Sequence, residues 1–100
     1  MMGHPGAVLK TTDSVVGVSG KPVRIYNLNV LSGATAGQVK LYNGIDATGT
    51  LYIHEVCAVV STGNGFDYGD SGLLFPGGCF YEEVDTNNVV STLISFEVEK

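Results

Sequence analysis

The sequence contains few charged residues for a chain of its length. Asp, Glu, Lys and Arg make up 15% of its 100 residues, whereas soluble domains usually carry about 25%. Five basic residues against ten acidic ones give a net charge of −5. Proteins that bind nucleic acid or anionic membranes need a basic surface, so the composition predicts neither partner. The low charge indicates either a surface covered by other proteins or an ordinary β surface rich in Ser, Thr and Asn.

Cysteine is scarce, and long apolar runs are absent. Cys57 and Cys79 are the only cysteines, and their spacing matches neither a zinc site nor a CxxC redox motif. Two free thiols are expected in a reducing compartment, and a disulfide stays open for a protein that works outside a cell. No apolar run is long enough to span a bilayer, and the start lacks the pattern of a signal peptide. We therefore expect a soluble protein made in a cytoplasm.

Catalytic and cofactor-binding motifs are also absent. The chain contains no GxSxG, HExxH or P-loop sequence. His54 neighbours Glu55, but adjacent residues of a strand point to opposite faces and cannot form a direct nucleophile–base pair. Asp67 and Asp70 offer two carboxylates, whereas a calcium loop needs five or more converging oxygens, so solvated loop carboxylates are the simpler interpretation. The sequence predicts no enzymatic activity, no metal and no cofactor.

Glycine and the polar turn-forming residues are abundant. Fourteen glycines, together with clusters of Asn, Asp, Ser and Thr, interrupt the chain about every ten residues, and no window shows a sustained helical period. This spacing is typical of antiparallel sandwiches and barrels. We predict an all-β fold, a single compact antiparallel β-sandwich of about eight strands, with a jelly roll as one closure that fits. Residues 1–12 are expected to form a flexible N-terminal arm and a first short strand, and residues 13–100 the sandwich domain.

Alternating apolar residues mark two long strands. Residues 23–31 alternate well, and Tyr26, Leu28 and Val30 are predicted to face the core. In the final strand, residues 89–99, Val90 is predicted to face the core and Glu97 to face outward.

Two further segments give weaker patterns. Both faces of residues 51–60 mix apolar and polar side chains, which indicates either a central strand covered on both sides or a bulge that exchanges the faces. Residues 61–72 contain four glycines and are predicted to form a long polar loop.

The predicted loop carries two aromatic residues beside carboxylates. Phe66 and Tyr68 alternate with Asp67, and exposed loop aromatics commonly stack on sugars or contact a protein partner. The alternative is that one or both fill the open end of the sandwich. The sequence leaves both interpretations open.

Several segments of the chain resemble those of a known class of protein. Residues 32–44 combine a small-residue connection with a strand that ends in Tyr before Asn-Gly, and residues 46–49 add a Thr-Gly turn. Phe75-Pro76 and residues 80–84 are similar to the second half of proteins of the same class. Over residues 19–98 the chain resembles the small all-β accessory virion proteins of tailed bacteriophages, which decorate or cement capsids or belong to head fibres or tails.

The resemblance implies a non-enzymatic structural protein of a phage particle. Its partners would be the major capsid protein or another virion protein and further copies of itself, with a trimer as the predicted oligomer, and it would be located in the virion after synthesis in the host cytoplasm. Docking is assigned to residues 1–12 and 61–72, and subunit contacts to two outward tyrosines. The candidate partner-binding residues are His4, Pro5, Phe66, Asp67, Tyr68, Asp70, Tyr42 and Tyr52.

Three other assignments stay open at this point. A tail, neck or fibre-associated protein would have the same architecture as a capsid decoration protein. A carbohydrate-binding module would use Phe66, Tyr68 and the adjacent carboxylates. A hydrolytic enzyme would require His54 to lie near a carboxylate of a neighbouring strand.

Overall fold

The structure, a computed structural model, describes residues 4–33, 35–57, 63–84 and 88–99. Within these ranges the chain forms strands and turns and no helix, so none is present that could cross a bilayer. The strands are β1 (His4–Lys10), β2 (Ser14–Val16), β3 (Val23–Ser32), β4 (Gly37–Asn43), β5 (Thr50–Cys57), β6 (Gly63–Asp67), β7 (Leu73–Phe75), β8 (Cys79–Glu83) and β9 (Val89–Val98).

The strands form two antiparallel sheets that stack into a sandwich. Sheet A has the order β1-β9-β3-β6, with the short β7 also paired to β3, and sheet B has the order β2-β8-β4-β5. The pairs β1:β9, β2:β8, β3:β6 and β4:β5 are those of one long hairpin rolled over on itself, which is the strand order of a jelly roll. The prediction of an all-β sandwich is confirmed.

The core lies between the two sheets and is built from alternating positions of both. Leu28 and Val30 of β3 are buried, as predicted, and meet Val39 and Leu41 of β4. Each fully buried side chain of this size contributes about 1.5–3 kcal/mol relative to exposure. The remaining core residues are Val16, Val23, Ile25, Ile53, Cys57, Phe75, Cys79, Tyr81, Val89 and Ile94.

A bulge in β3 changes the predicted position of Tyr26. The register with β9 jumps between Ile25 and Asn27, so Tyr26 is an extra residue that a bulge displaces. Its side chain is half-buried on the outer face of sheet A, where its hydroxyl donates a hydrogen bond to Oε1 of Glu97 over 2.9 Å. The prediction that Tyr26 faces the core is therefore wrong.

The two ends of β9 also differ from the prediction. A second register shift, at Ser32, places Val89 in the core and leaves Val90 55% exposed, so the inward prediction for Val90 is wrong. Glu97 does face outward, between Phe96 and Val98, which pack on the core. It is nevertheless only 4% exposed, because the bulged Tyr26 covers it.

The segment between residues 50 and 72 is more strand-like than its sequence suggested. β5 lies at the edge of sheet B, so the central-strand interpretation is wrong; a register shift at Tyr52 confirms the bulge instead. The predicted polar loop contains β6, which pairs with β3. The remaining parts of these predictions, at residues 58–62, lie outside the described residues.

The first strand begins earlier than expected. β1 starts at His4 and pairs along its whole length with β9, from His4 opposite Val98 to Lys10 opposite Thr92. Residues 4–6 therefore belong to a sheet and not to a loose arm. The division of the chain at residue 12 stays a prediction.

The two cysteines are buried and lie at opposite ends of β4. Cys57 is the cross-strand partner of Gly37, and Cys79 is the partner of Asn43. Six residues of strand separate these two positions, a distance of about 20 Å, whereas a disulfide needs Cα atoms within about 7 Å. The disulfide alternative is thereby excluded, and both thiols are free.

Both thiols are expected to resist modification in the folded protein. Burial raises the pKa of Cys57, and it raises the pKa of Cys79 to about 12, so little thiolate is present near neutral pH. We expect an aromatic disulfide reagent at pH 8 to react at least about 100-fold more slowly with the native protein than with the urea-unfolded chain. Rapid labelling of either cysteine under native conditions would contradict this placement.

Candidate functional site

Three connections between strands meet at one end of the sandwich. They are residues 17–22 between β2 and β3, residues 44–49 between β4 and β5, and residues 76–78 between β7 and β8; together they are called the turn cluster. The backbone N–H of Gly44 donates to the carbonyl of Gly78 over 3.0 Å. The N–H of Gly77 donates to Oδ1 of Asn43 over 2.7 Å. Hydrogen bonds therefore join turns that are distant in sequence.

Glycine is required where these turns touch. Gly78 has a φ of 100°, a conformation that other residues rarely adopt. A Cβ atom there would lie 3.2 Å from the nitrogen of Gly20 and 3.3 Å from the carbonyl oxygen of Gly44. The three turns consequently pack backbone against backbone, with no side chain between them.

Each of the two longer turns is also fixed internally. The N–H of Lys21 donates to the carbonyl of Val18 over 3.0 Å. In the other turn, Oδ1 of Asp46 accepts from the N–H of Thr48 over 2.9 Å. Hydrogen bonds from the hydroxyl and the amide of Thr48 lower the pKa of Asp46. The turn cluster is therefore held in one shape before any partner binds.

The turn cluster presents apolar side chains to solvent. Val18 is 50% exposed and Ile45 is 57% exposed, although turn positions usually carry small polar residues. An apolar row continues onto the outer face of sheet B, where Val15, Phe80, Tyr42 and Leu51 are successive cross-strand partners. Exposed apolar side chains on a rigid support are typical of a protein-binding site.

Two of the predicted partner-binding residues border this surface. Tyr42 lies on the outer face but is only 9% exposed, and its hydroxyl donates to Oε1 of Glu82 over 2.7 Å. This hydrogen bond raises the pKa of Tyr42 to about 12. Tyr52 is 40% exposed, and its ring centroid lies 5.0 Å from that of Phe75, directly before residues 76–78. Tyr52 is thus available for contact at the turn cluster, whereas Tyr42 mainly supports its neighbours.

Phe66 and Tyr68 do not form an open aromatic platform. Both are half-buried and pack against the core. The Tyr68 hydroxyl donates to Oε2 of Glu55 over 2.6 Å, which joins the chain just after β6 to β5, the facing edge strand of sheet B. Burial, with the Glu55 carboxylate second, raises the pKa of Tyr68. These aromatics close the side of the sandwich.

The acidic neighbours of these aromatics have local roles. Oδ1 of Asp67 accepts a hydrogen bond from the N–H of Gly69 over 2.9 Å, which is the geometry of an Asx turn. Asp70 is exposed. In the part of the chain that the structure describes, no three His, Cys, Asp or Glu side chains are grouped to hold a metal ion.

The backbone of His4 and Pro5 lies at the same end as the turn cluster. His4 is opposite Val98, which on its other side is opposite Val23, the residue that follows the turn at residues 17–22. His4 and Pro5 thus share one end of the molecule with Tyr52, while the segment from Phe66 to Asp70 lies along the side. The structure does not bring the eight predicted residues into one site.

His54 contacts an amide and not a carboxylate. Its Nε2 lies 2.7 Å from Oε1 of Gln38, and its direct cross-strand partner is Lys40. The hydrolytic alternative required a carboxylate at this position to orient and charge the imidazole. The observed contact gives that alternative no support.

A polar cluster inside the sandwich was not predicted. The Tyr81 hydroxyl donates to Oε2 of Glu83 over 2.9 Å and lies 2.6 Å from Oγ1 of Thr92. All three residues are nearly or fully buried. Burial raises the pKa values of both Tyr81 and Glu83. Because the cluster is enclosed by the sheets, we assign it to stability and not to binding.

The sequence contained one sign of the turn cluster. Ile45 lies between Gly44 and Asp46, and an isoleucine in a reverse turn is unusual because β-branched residues prefer strands. Each of the three turns was also recognisable from its own residues. Their meeting depends on the strand order of both sheets, which no local pattern specifies.

Comparison of the chain with protein-family models, curated proteins and solved structures gave no match. The fold and the turn cluster are therefore the basis for a functional assignment.

Proposed function

We propose that this chain is a non-enzymatic structural protein of a phage particle, and that it decorates the capsid by docking through the turn cluster. The observation that carries the proposal is the pair of apolar side chains Val18 and Ile45, each at least half exposed on turns that both pack against Gly78. An apolar surface that is already rigid loses little conformational entropy when it binds a partner. The alternative within the same class is a tail, neck or fibre-associated position.

The energetics fit a protein that acts in many copies. Covering the exposed parts of two aliphatic side chains contributes about 2–3 kcal/mol, which is too little for a stable complex of single molecules. On a repeating lattice, linked contacts add in avidity without new chemistry. A modest apolar contact at each copy is therefore sufficient for a decoration protein.

The remaining surface supports a protein partner over a glycan. Jelly rolls occur in both capsid proteins and lectins, and fold alone does not decide between them. A glycan site would need exposed aromatic faces, but Phe66 and Tyr68 are half-buried and the Tyr68 hydroxyl is bonded to Glu55. The turn cluster exposes two aliphatic side chains, those of Val18 and Ile45, and these suit contact with protein.

Replacing Ile45 with Asp is expected to weaken attachment to expanded capsids by at least about tenfold, because the variant loses apolar burial and places a charge in the interface. Val90→Asp is the matched control, since Val90 has nearly the same exposure, 55% against 57%, at the opposite end of the sandwich. Co-sedimentation of the purified protein with capsids would measure both variants.

Two results would contradict the proposal. One is absence of the polypeptide from purified virions by mass spectrometry. The other is equal loss of capsid binding in the Ile45→Asp and Val90→Asp proteins, which would show that the turn cluster is not the surface that contacts the capsid. A fixed stoichiometry of the wild-type protein per capsid, with selective loss in Ile45→Asp, is the supporting outcome.

A further inference from the structure

The outer face of sheet A carries a continuous area without charged side chains, which is called the uncharged face. The strand registers place its residues in adjacent rows across β1, β9, β3 and β6. Its members are Ala7, Leu9, Asn27, Asn29, Leu31, Gly63, Gly65, Ser91, Leu93 and Ser95. The nearest carboxylate is that of Asp67, which borders the face at the end of β6.

The centre of the uncharged face is apolar. Leu9 and Leu93 are direct cross-strand partners, and they are 60% and 44% exposed. Leu31, in the next row, is 37% exposed. Asparagine, serine, alanine and glycine surround these leucines, so the face is flat, with an apolar centre and a polar border, as in protein–protein interfaces.

The net charge of the chain indicates that a second copy can bind this face. A net charge of −5 makes copies of the chain repel one another, so two copies can approach closely only through a region that lacks carboxylates. The outer face of sheet B does not meet this condition, because Lys40 and Glu82 are partners at its centre. The uncharged face does.

The area of the face is that of a weak, transient dimer. Four strands spaced about 4.8 Å apart, with three rows of side chains about 6.8 Å apart along them, cover about 400 Å² on each copy. Two faces would bury about 800 Å², which is in the range of weak and transient complexes. Stacked sheets pack about 10 Å apart, and the small side chains of this face permit that approach.

We propose that two copies of this chain pack face to face through the uncharged face, around a two-fold axis that brings the Leu9 and Leu93 pairs of both copies together. A flat face can be covered by only one other flat face, so the structure favours two copies over the predicted three. The turn cluster lies at the end of the sandwich, away from this face, and stays exposed in the dimer. The dimer does not depend on the proposed function.

Sedimentation equilibrium of the purified chain at about 100 µM tests the dimer, a concentration suited to a weak interface. The mass of the wild-type protein is expected to exceed the chain mass of 10.5 kDa and to rise with concentration toward twice that mass. Leu93→Asp is expected at the chain mass itself. Leu51→Asp is the matched control, because Leu51 is 43% exposed on the outer face of sheet B, against 44% for Leu93. The control is expected to stay dimeric.

A second variant keeps the test independent of folding defects. Ala7 is an exposed residue of the edge strand β1, so Ala7→Glu adds a charge to the uncharged face without removing a packed side chain. It is expected to sediment as a monomer with an unchanged circular dichroism spectrum. A monomeric or trimeric wild-type protein, or equal dissociation of Leu93→Asp and Leu51→Asp, would overturn the proposal.

Discussion

Replacing Gly49 with alanine is expected to lower the free energy of unfolding by about 2–4 kcal/mol, the range for overpacking against atoms that cannot move aside. A Cβ atom on Gly49 would overlap the carbonyl oxygen of Asn43 and lie 3.3 Å from the Cα atom of Gly44. Both are backbone atoms at the point where β4 ends and the turn that carries Ile45 begins. Urea unfolding followed by circular dichroism would measure the loss.

The control for this substitution is another glycine of the described chain. A Cβ atom on Gly65 would meet no atom within 4 Å, so Gly65→Ala only reduces the freedom of the unfolded chain and is expected to be neutral or to stabilise by about 0.4–1 kcal/mol. Similar effects at both positions would contradict the steric argument. If Gly49→Ala folds, we also expect it to bind capsids less tightly, because the turn cannot keep its shape.

Replacing Tyr81 with phenylalanine is expected to lower the free energy of unfolding by about 2–4 kcal/mol at pH 7, because two buried polar groups lose their common partner. The hydroxyl that is removed lies 2.9 Å from Oε2 of Glu83 and 2.6 Å from Oγ1 of Thr92. Both partners are enclosed, since Glu83 is only 3% exposed and Thr92 is fully buried.

The loss should depend on pH in a defined direction. Burial raises the pKa of Glu83 above its ordinary value of 4.5, so the stability contributed by its neutral form is complete below that value and disappears as pH rises through the raised pKa. The Tyr81 hydroxyl opposes this shift, because its hydrogen bond favours the carboxylate. Tyr81→Phe therefore raises the pKa of Glu83 further, and its destabilisation grows as the pH rises above 4.5.

Two comparisons isolate the Glu83 carboxylate as the cause. In a Glu83→Gln background, the effect of Tyr81→Phe should no longer vary with pH, because the titrating group is gone. Tyr42→Phe removes a similar hydrogen bond, to Glu82, on the outer face of sheet B, and is expected to cost about 0.5–1.5 kcal/mol. A pH-independent loss in the Tyr81→Phe protein would show that Glu83 does not sense this hydroxyl.

The architecture could be predicted because its causes are local. The inward positions of Leu28 and Val30 follow from side-chain alternation within a few residues. The bulges at Tyr26 and Tyr52 could not be predicted in the same way. Each is defined by the register against a partner strand, and a single extra residue exchanges the two faces from that point onward.

The burial of Glu83 and the pairing of the glycines in β6 depend on residues that are distant in the sequence, so neither could be predicted from local patterns. Asp and Glu are rarely buried without partners, so the sequence gives no reason to expect Glu83 in the core. Its partner Tyr81 lies on the same strand, but Thr92, which also contacts the Tyr81 hydroxyl, belongs to β9. The glycines of β6 indicated a loop, but pairing with β3 supplies the backbone hydrogen bonds that their weak strand preference does not.

The candidate site was visible only in parts. Turns at residues 17–22, 44–49 and 76–78 each follow from Gly, Pro, Asn or Asp. Their assembly requires β4 to lie beside β8, and β3 to return to the same end, which the sequence pattern does not state. The sequence left open whether Phe66 and Tyr68 bind a partner or fill the sandwich, because the pairing of β6 with β3 had not been recognised.

The pairing of the first strand with the last has a consequence for biosynthesis. His4 finds its partner only when Val98 has been made, so sheet A cannot close before β9 has left the ribosome. Until then, the nascent chain exposes the apolar inner faces of several strands, and such species aggregate readily. The slowest step of folding is therefore expected to be the pairing of β1 with β9, which closes the longest loop.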